Sequence, residues 1–224
     1  MPLDLWETSH PNKGTDLAQR AIFLSASIPD TARWSGNFDA LAIIDAVVAT
    51  ARAVLSSNGR LVNAAHPTMA PLILYVAREL PSTTDRPPSI LIYQSRLFSD
   101  VLPSETYDLA QGGLAELRWT EAAPRDEPEP GKWEQSLSIM RHSMLKDNDV
   151  AAAVFIGGMQ GIRTEYELFR DLYPTRPTYA LGRPGGEASH LTQLSRSNLV
   201  SDLIGSTSYP TLLRRIIQDI ASIS

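Results

Sequence analysis

Between Val150 and Phe169 the chain reads VAAAVFIGGMQGIRTEYELF, and this stretch restricts the possible folds more than any other. Seven apolar residues, Val150 to Ile156, run without a polar interruption, as a central parallel strand buried on both faces requires. A loop follows, Gly157, Gly158, Met159, Gln160 and Gly161, and then Ile162, Glu165, Glu167, Leu168 and Phe169 open an amphipathic helix. Strand, glycine-rich turn and helix in that order can receive a phosphate or nucleotide: glycines let the backbone approach, and the first helical amides point at the anion.

The rest of the chain supplies strands and helices in alternation. Strands are expected at Ala21 to Ser25, Arg60 to Ala64, Ser89 to Tyr93, Gly113 to Trp119 and Pro177 to Leu181, the fourth of these peripheral because it alternates apolar and polar residues. Helical spacing of apolar residues covers Phe38 to Leu55, about Met69 to Leu80, Trp133 to Lys146 and Tyr209 to Ile223, with short helices between Arg96 and Gln111 broken near Pro103. Thr120 to Gly131 holds three prolines and five charged residues in twelve positions and reads as a mobile loop, and Pro81 to Pro88 as a second loop. Residues 1–20 read as an irregular lead-in that packs through Leu5 and Trp6, and residues 21–224 as a single domain. The predicted class is α/β, a three-layer Rossmann-like fold whose mostly parallel central sheet is flanked by helices. Right-handed crossovers then bring four polar strand ends to one edge, where open α/β sheets bind ligands. These are Ser25 to Pro29, Asn63 to Thr68, Tyr93 to Ser95 and Gly157 to Gly161.

Composition removes several function classes. A net charge of −5 without a basic run argues against nucleic acid as partner, since phosphate neutralisation needs clustered Lys and Arg. Zero cysteines exclude thiol catalysis and disulfides, and four dispersed histidines lack ligand spacing, so neither a metal nor a cofactor is expected. No apolar run approaches the roughly 20 residues of a membrane span, and the N-terminus lacks a signal-peptide core, which predicts a cytoplasmic protein with no membrane partner.

Two residues sharpen the central motif. Glu165 lies four positions past Gly161, one helical turn into the helix, and Arg141 precedes Gly157 by sixteen positions on the preceding helix. Together they offer a carboxylate and a cation beside a sugar or phosphate. Each also has a plainer reading. Acidic residues suit a helix start because of the macrodipole, and a lone Arg commonly forms a solvated ion pair. His66 before Pro67 fits a turn, Tyr93 and Gln94 fit a strand end with satisfied hydrogen bonds, and Met140, Met144 and Met159 fit packing.

The run Met140-Arg141-His142-Ser143-Met144, the apolar strand, and then Gly157 through Glu165 resemble the arginine-then-PGGxGTxxE signature of the phosphoribohydrolases named Lonely guy. More broadly they are similar to the SLOG superfamily of Rossmann-like nucleotide-binding domains, which includes the DNA-processing protein of bacterial transformation and sensor domains of bacterial nucleotide signalling and anti-phage defence. The likeness spans about Ile22 to Leu191 and extends to the loops at Ser25 and Ser27, at His66, Pro67 and Thr68, at Tyr93 and Gln94, and at Gly185 and Gly186. In the hydrolase pattern a proline stands where Ile156 is, Met159-Gln160 makes this turn longer, and Ile162 replaces a phosphate-binding threonine, so that hydroxyl contact is lost.

The resemblance implies a sensor module for a nucleotide or nucleotide-derived ligand, with Gly157, Gly158, Met159, Gln160, Gly161 and Ile162 at its phosphate or ribose and Ser25, Ser27, His66 and Thr68 as polar contacts. Tyr93 and Gln94 are expected at the base. The alternative it implies is an N-glycosidic hydrolase in which Glu165 stabilises the ribosyl cation and Arg141 orients it. It also implies a homo-oligomer, with any effector a separate polypeptide.

Overall fold

The apolar run at the centre of the sequence becomes β5, Ala152–Gly157, with all six residues buried. The computed structural model describes residues 15–64, 66–80 and 89–223; the expected packing of Leu5 and Trp6, the Pro81 to Pro88 loop and Ala65 lie outside the described residues. Around β5 stand β1 (Ala21–Ser27), β2 (Arg60–Ala64), β3 (Ile90–Ser95), β4 (Ala115–Thr120) and β6 (Thr178–Leu181). They form one six-stranded sheet in the order β4-β3-β2-β1-β5-β6. Every pairing is parallel, where the sequence pattern predicted a mostly parallel sheet.

Alternation along the strands sorts the core into two layers. Ile22, Leu24, Leu61, Ile90, Ile92, Val154 and Ile156 belong to one apolar layer with α1 (Ala40–Ser56), α2 (Ala70–Glu79), α3 (Ser104–Gln111) and α8 (Tyr209–Ser222). Phe23, Val62, Leu91, Tyr93, Ala153, Phe155 and Ala180 belong to the other, under α4 (Glu134–Lys146), α5 (Gln160–Leu172) and α6 (Gly186–Leu191). A short α7, Val200–Gly205, and 3-10 turns at Arg96–Val101 and Thr192–Leu194 complete the described elements. Among the described residues no helix is long and apolar enough to cross a membrane.

Local signals account for the element ends. Asp39 caps α1 by accepting from the Ala42 amide at 3.0 Å, and Asn58, at φ 57°, turns the chain out of the helix toward β2. Leu17 reaches back under that exit: its side chain is wholly buried and its amide donates to the Ser57 carbonyl at 2.8 Å. The helix after β5 begins at Gln160, two residues earlier than the apolar spacing suggested, because Gln160 and Gly161 already wind into its first turn.

The 120–131 segment is tied down at several points, in contrast to the mobile loop its composition suggested. The Ala123 amide donates to Ser136 Oγ at 2.9 Å, the Ser136 amide to Asp126 Oδ2 at 2.6 Å, and Lys132 bridges Glu127 at 2.7 Å and Glu129 at 2.9 Å. Two of these bonds are made to the first turn of α4, so the loop acts as that helix's cap.

A close backbone approach sets the relation of α6 to β5. Gly186, at φ 67°, lies against Gly157 so closely that a Cβ on it would stand 2.5 Å from the Gly157 carbonyl carbon. Its amide donates to Asn37 at 3.0 Å and Gly185 bridges Phe38, so the same contact anchors the chain entering α1. Gly186→Ala therefore meets backbone on one side and an unfavourable dihedral on the other, and is expected to lower unfolding free energy by about 2 kcal/mol or more. Gly205→Ala, with nothing within 4 Å of its Cβ position, serves as the control and stays within about 0.5 kcal/mol. Urea midpoints at equal slope test both.

Candidate functional site

The strand order reverses direction between β1 and β5: outward from β1 the chain builds β2, β3 and β4, then crosses back to begin again at β5. At such a switch point the loops leaving the two strands part and a crevice opens at the carboxyl edge. Here the crevice is a cavity of about 520 Å³, bounded by residues of β1, β2 and β3, the start of α5, α4 and the 3-10 turn after β3.

Its polar end is a three-residue unit drawn from three elements. Ser25 Oγ, at the end of β1, donates to Glu165 Oε2 at 2.5 Å, and Arg141 Nε, on α4, donates to Glu165 Oε1 at 3.0 Å. The side chains of Arg141 and Glu165 are only 11% and 13% exposed, which places this pair well apart from solvated surface ion pairs. Helical geometry explains the meeting: Gly161 and Glu165 are four apart and face the same way, and a Cβ on Gly161 would sit 3.2 Å from Arg141 Nη2. The absent side chain gives the guanidinium room to lie close to the first turn of α5. The first amides of a helix have no intrahelical acceptor, and the residues that begin α5, Gln160 and Gly161, line the cavity here.

The paired glycines before them have a different role. The Gly158 amide donates to the Ser27 carbonyl at 2.7 Å, and a Cβ on Gly158 would fall 2.1 Å from Ile162 Cγ1. Gly157 packs against Ile43 on one side and Gly186 on the other. The turn is closed over this pair by Ile162 and opens only from Met159 onward, so Gly157 and Gly158 hold elements together while Met159, Gln160, Gly161 and Ile162 line the cavity. Gly185 and Gly186 lie beneath the turn, away from the cavity wall.

Most of the remaining expected residues reach the cavity, which takes side chains from both faces of the sheet. Ser27, His66, Pro67 and Gln94 line the cavity. Thr68 supports the rim: its Oγ1 is 2.9 Å from His66 Nδ1 and accepts weakly from the Ile28 amide at 3.4 Å. His66 keeps exposed surface, and desolvation by its surroundings lowers the imidazole pKa from its ordinary value. Tyr93 lies elsewhere. Its ring is buried on the α4 side, and its hydroxyl accepts from Arg118 at 2.8 Å and Asn148 at 3.0 Å, beside a separate surface hollow. Strand alternation puts Gln94 on the opposite side from Tyr93.

The sequence reading did not include the cavity's apolar end. Phe98, in the 3-10 turn after β3, meets Trp133, at the entry to α4, edge to face with ring centroids 5.5 Å apart. Pro128 and Leu137 adjoin them. The sequence offered only their positions, Phe98 three residues past a strand end and Trp133 immediately before a helix. Among the described residues no group of three or more acidic or histidine side chains could hold a metal ion.

Breaking the buried pair leaves a dehydrated charge behind. Arg141→Met and Glu165→Gln are each expected to cost about 2 kcal/mol of stability, and the double variant less than their sum, with a coupling of about 1–3 kcal/mol. A double-mutant cycle by urea unfolding measures it; additive losses would mean that the two side chains do not interact in solution.

No curated protein matches the chain. A family model described as the SLOG cluster3 family matches residues 33–217, a span that runs from the loop beyond β1 into α8 and takes in both Arg141 and Glu165. With its parallel sheet, its switch-point cavity and a match over most of its length, this chain belongs to the SLOG cluster3 family.

Proposed function

We propose that this protein binds a nucleotide or nucleotide-derived small molecule in the cavity at the β1–β5 switch point, as a sensor module. The observation that carries the reading is the Ser25–Glu165–Arg141 unit, a nearly dehydrated carboxylate and guanidinium set beside the open first turn of α5. A carboxylate held this way accepts hydrogen bonds from sugar hydroxyls, and a helix start beside it suits an anionic oxygen. Family membership supports a nucleotide-related role. A second copy of the chain and a separate effector protein belong to the same proposal.

Native mass spectrometry of freshly purified protein is expected to show a co-purified nucleotide-sized adduct and a mass above that of the monomer. Thermal unfolding with mono-, di- and cyclic nucleotides and ADP-ribose tests the binding directly. A ligand at one hundred times its Kd adds about 2.7 kcal/mol, or about 5–10 °C for a chain of this size. A complete lack of shift across that panel, with no adduct, would refute the reading.

A hydrolytic reading is favoured by one observation, that both oxygens of Glu165 are already fixed by donors while its carboxylate faces the cavity. In that reaction Glu165 stabilises positive charge developing on the ribose as the N-glycosidic bond breaks. Chromatography of nucleoside monophosphates incubated with the protein should then show released base, lost in Glu165→Gln. Intact substrate after prolonged incubation with wild type leaves binding as the function.

A further inference from the structure

The cavity's two ends differ in chemistry, and neither is built for a highly charged chain. Among its described lining residues the cations are Arg33 and Arg141 and the anions Glu134 and Glu165, so their formal charges cancel. Arg141 is already committed, its Nε on Glu165 in a pair that is almost dehydrated. Arg33 is exposed, on the loop beyond β1. The glycine pair that would otherwise wrap a phosphate chain with amides is sealed by Ile162, and the Gly158 amide is spent on Ser27. A triphosphate entering here brings several negative charges near Glu165 and Glu134 without a surplus of cations to receive them.

The apolar end has the opposite character. Phe98 and Trp133 stand at 64° to each other with Pro128, Pro103 and Leu137 around them, a half-buried wall of flat and rigid side chains. Such a wall offers a planar heteroaromatic ring contact on face and edge, worth about 1–3 kcal/mol per ring. At the polar end, each carboxylate oxygen of Glu165 takes one donor, from Ser25 or from Arg141, and a carboxylate has the acceptor capacity for a pair of neighbouring hydroxyls as well.

We infer that the cavity recognises the nucleoside part of its ligand, with the ring against Phe98 and Trp133 and the sugar diol at Glu165, and that phosphate adds little to binding. This rests on the nucleotide reading above and specifies it. Recognition by ring and sugar makes a nucleoside bind about as tightly as its 5′-monophosphate, while the 5′-triphosphate binds at least tenfold more weakly and ribose 5-phosphate, which lacks the ring, more weakly still.

Isothermal titration of the wild-type protein with adenosine, guanosine, cytidine and uridine, their 5′-mono- and triphosphates, and ribose 5-phosphate tests this ordering without any variant. For whichever base binds, the expected result is nucleoside and monophosphate within about threefold, a triphosphate affinity that stays below both as salt is varied, and ribose 5-phosphate weakest of all. Trp133→Ala and Phe98→Leu should each weaken the nucleoside about tenfold or more while leaving any ribose 5-phosphate binding unchanged. A triphosphate that binds tightest, or a ribose 5-phosphate that matches the nucleoside, overturns the inference and leaves the nucleotide reading standing. If no member of the panel binds and thermal unfolding shows no shift either, both fall together.

Discussion

The geometry of the cavity depends on the hydrogen-bonded pairing of β1 with β5. Ser25 lies opposite Phe155 and Ser27 opposite Gly157, so the two strands end level and their loops diverge from the same height. Because side chains alternate, this register also decides which face Ser25 occupies: the α4–α5 side, shared with Phe23 and Phe155, whose rings meet edge to face at 6.0 Å. A slip by one residue would turn Ser25 to the α1 side and leave Glu165 without its hydroxyl donor. The strongly apolar interior of β5 guards against that slip, since every residue of the strand would exchange one packed environment for another of different shape.

Around this seam the charged residues are placed by helices and not by loops. Arg141 and Glu165 project from α4 and α5, two regular helices of thirteen residues each, and their ion pair joins the two. Rigid supports of this kind keep a binding group in position before the ligand arrives, which reduces the ordering cost of association. The absence of a side chain at Gly161 contributes as well, because it leaves room for the guanidinium at the helix start.

Much of this architecture was legible in the sequence, for reasons that differ from element to element. The β5 run and the long α1 pattern were readable because burial on both faces, or on one helical stripe, leaves an unambiguous period. Arg141 and Glu165 were readable as neighbours of the turn from spacing alone. The stretch between Leu181 and Tyr209 was not, since α6 and α7 have six residues each, too short to show a period. Tyr93 and Gln94 looked equivalent at a strand end, and only the phase of alternation separates them. Phe98 and Trp133 lie thirty-five positions apart and meet through tertiary packing, which no local pattern encodes. The closed glycine pair depends on where Ile162 points, a matter settled by the whole turn.

The cap that Ala123, Asp126 and Ser136 build over the entry to α4 has a mechanical consequence. Trp133 at the mouth of that helix and Arg141 two turns along it are separated by about 12 Å of continuous helix. They therefore ride on a single stiff rod, fastened at one end by the cap and braced at the other by Glu165. Any tilt of the rod that shifts Trp133 must also drag the guanidinium across the start of α5, so the cavity's dry end and its charged end are geared together through α4.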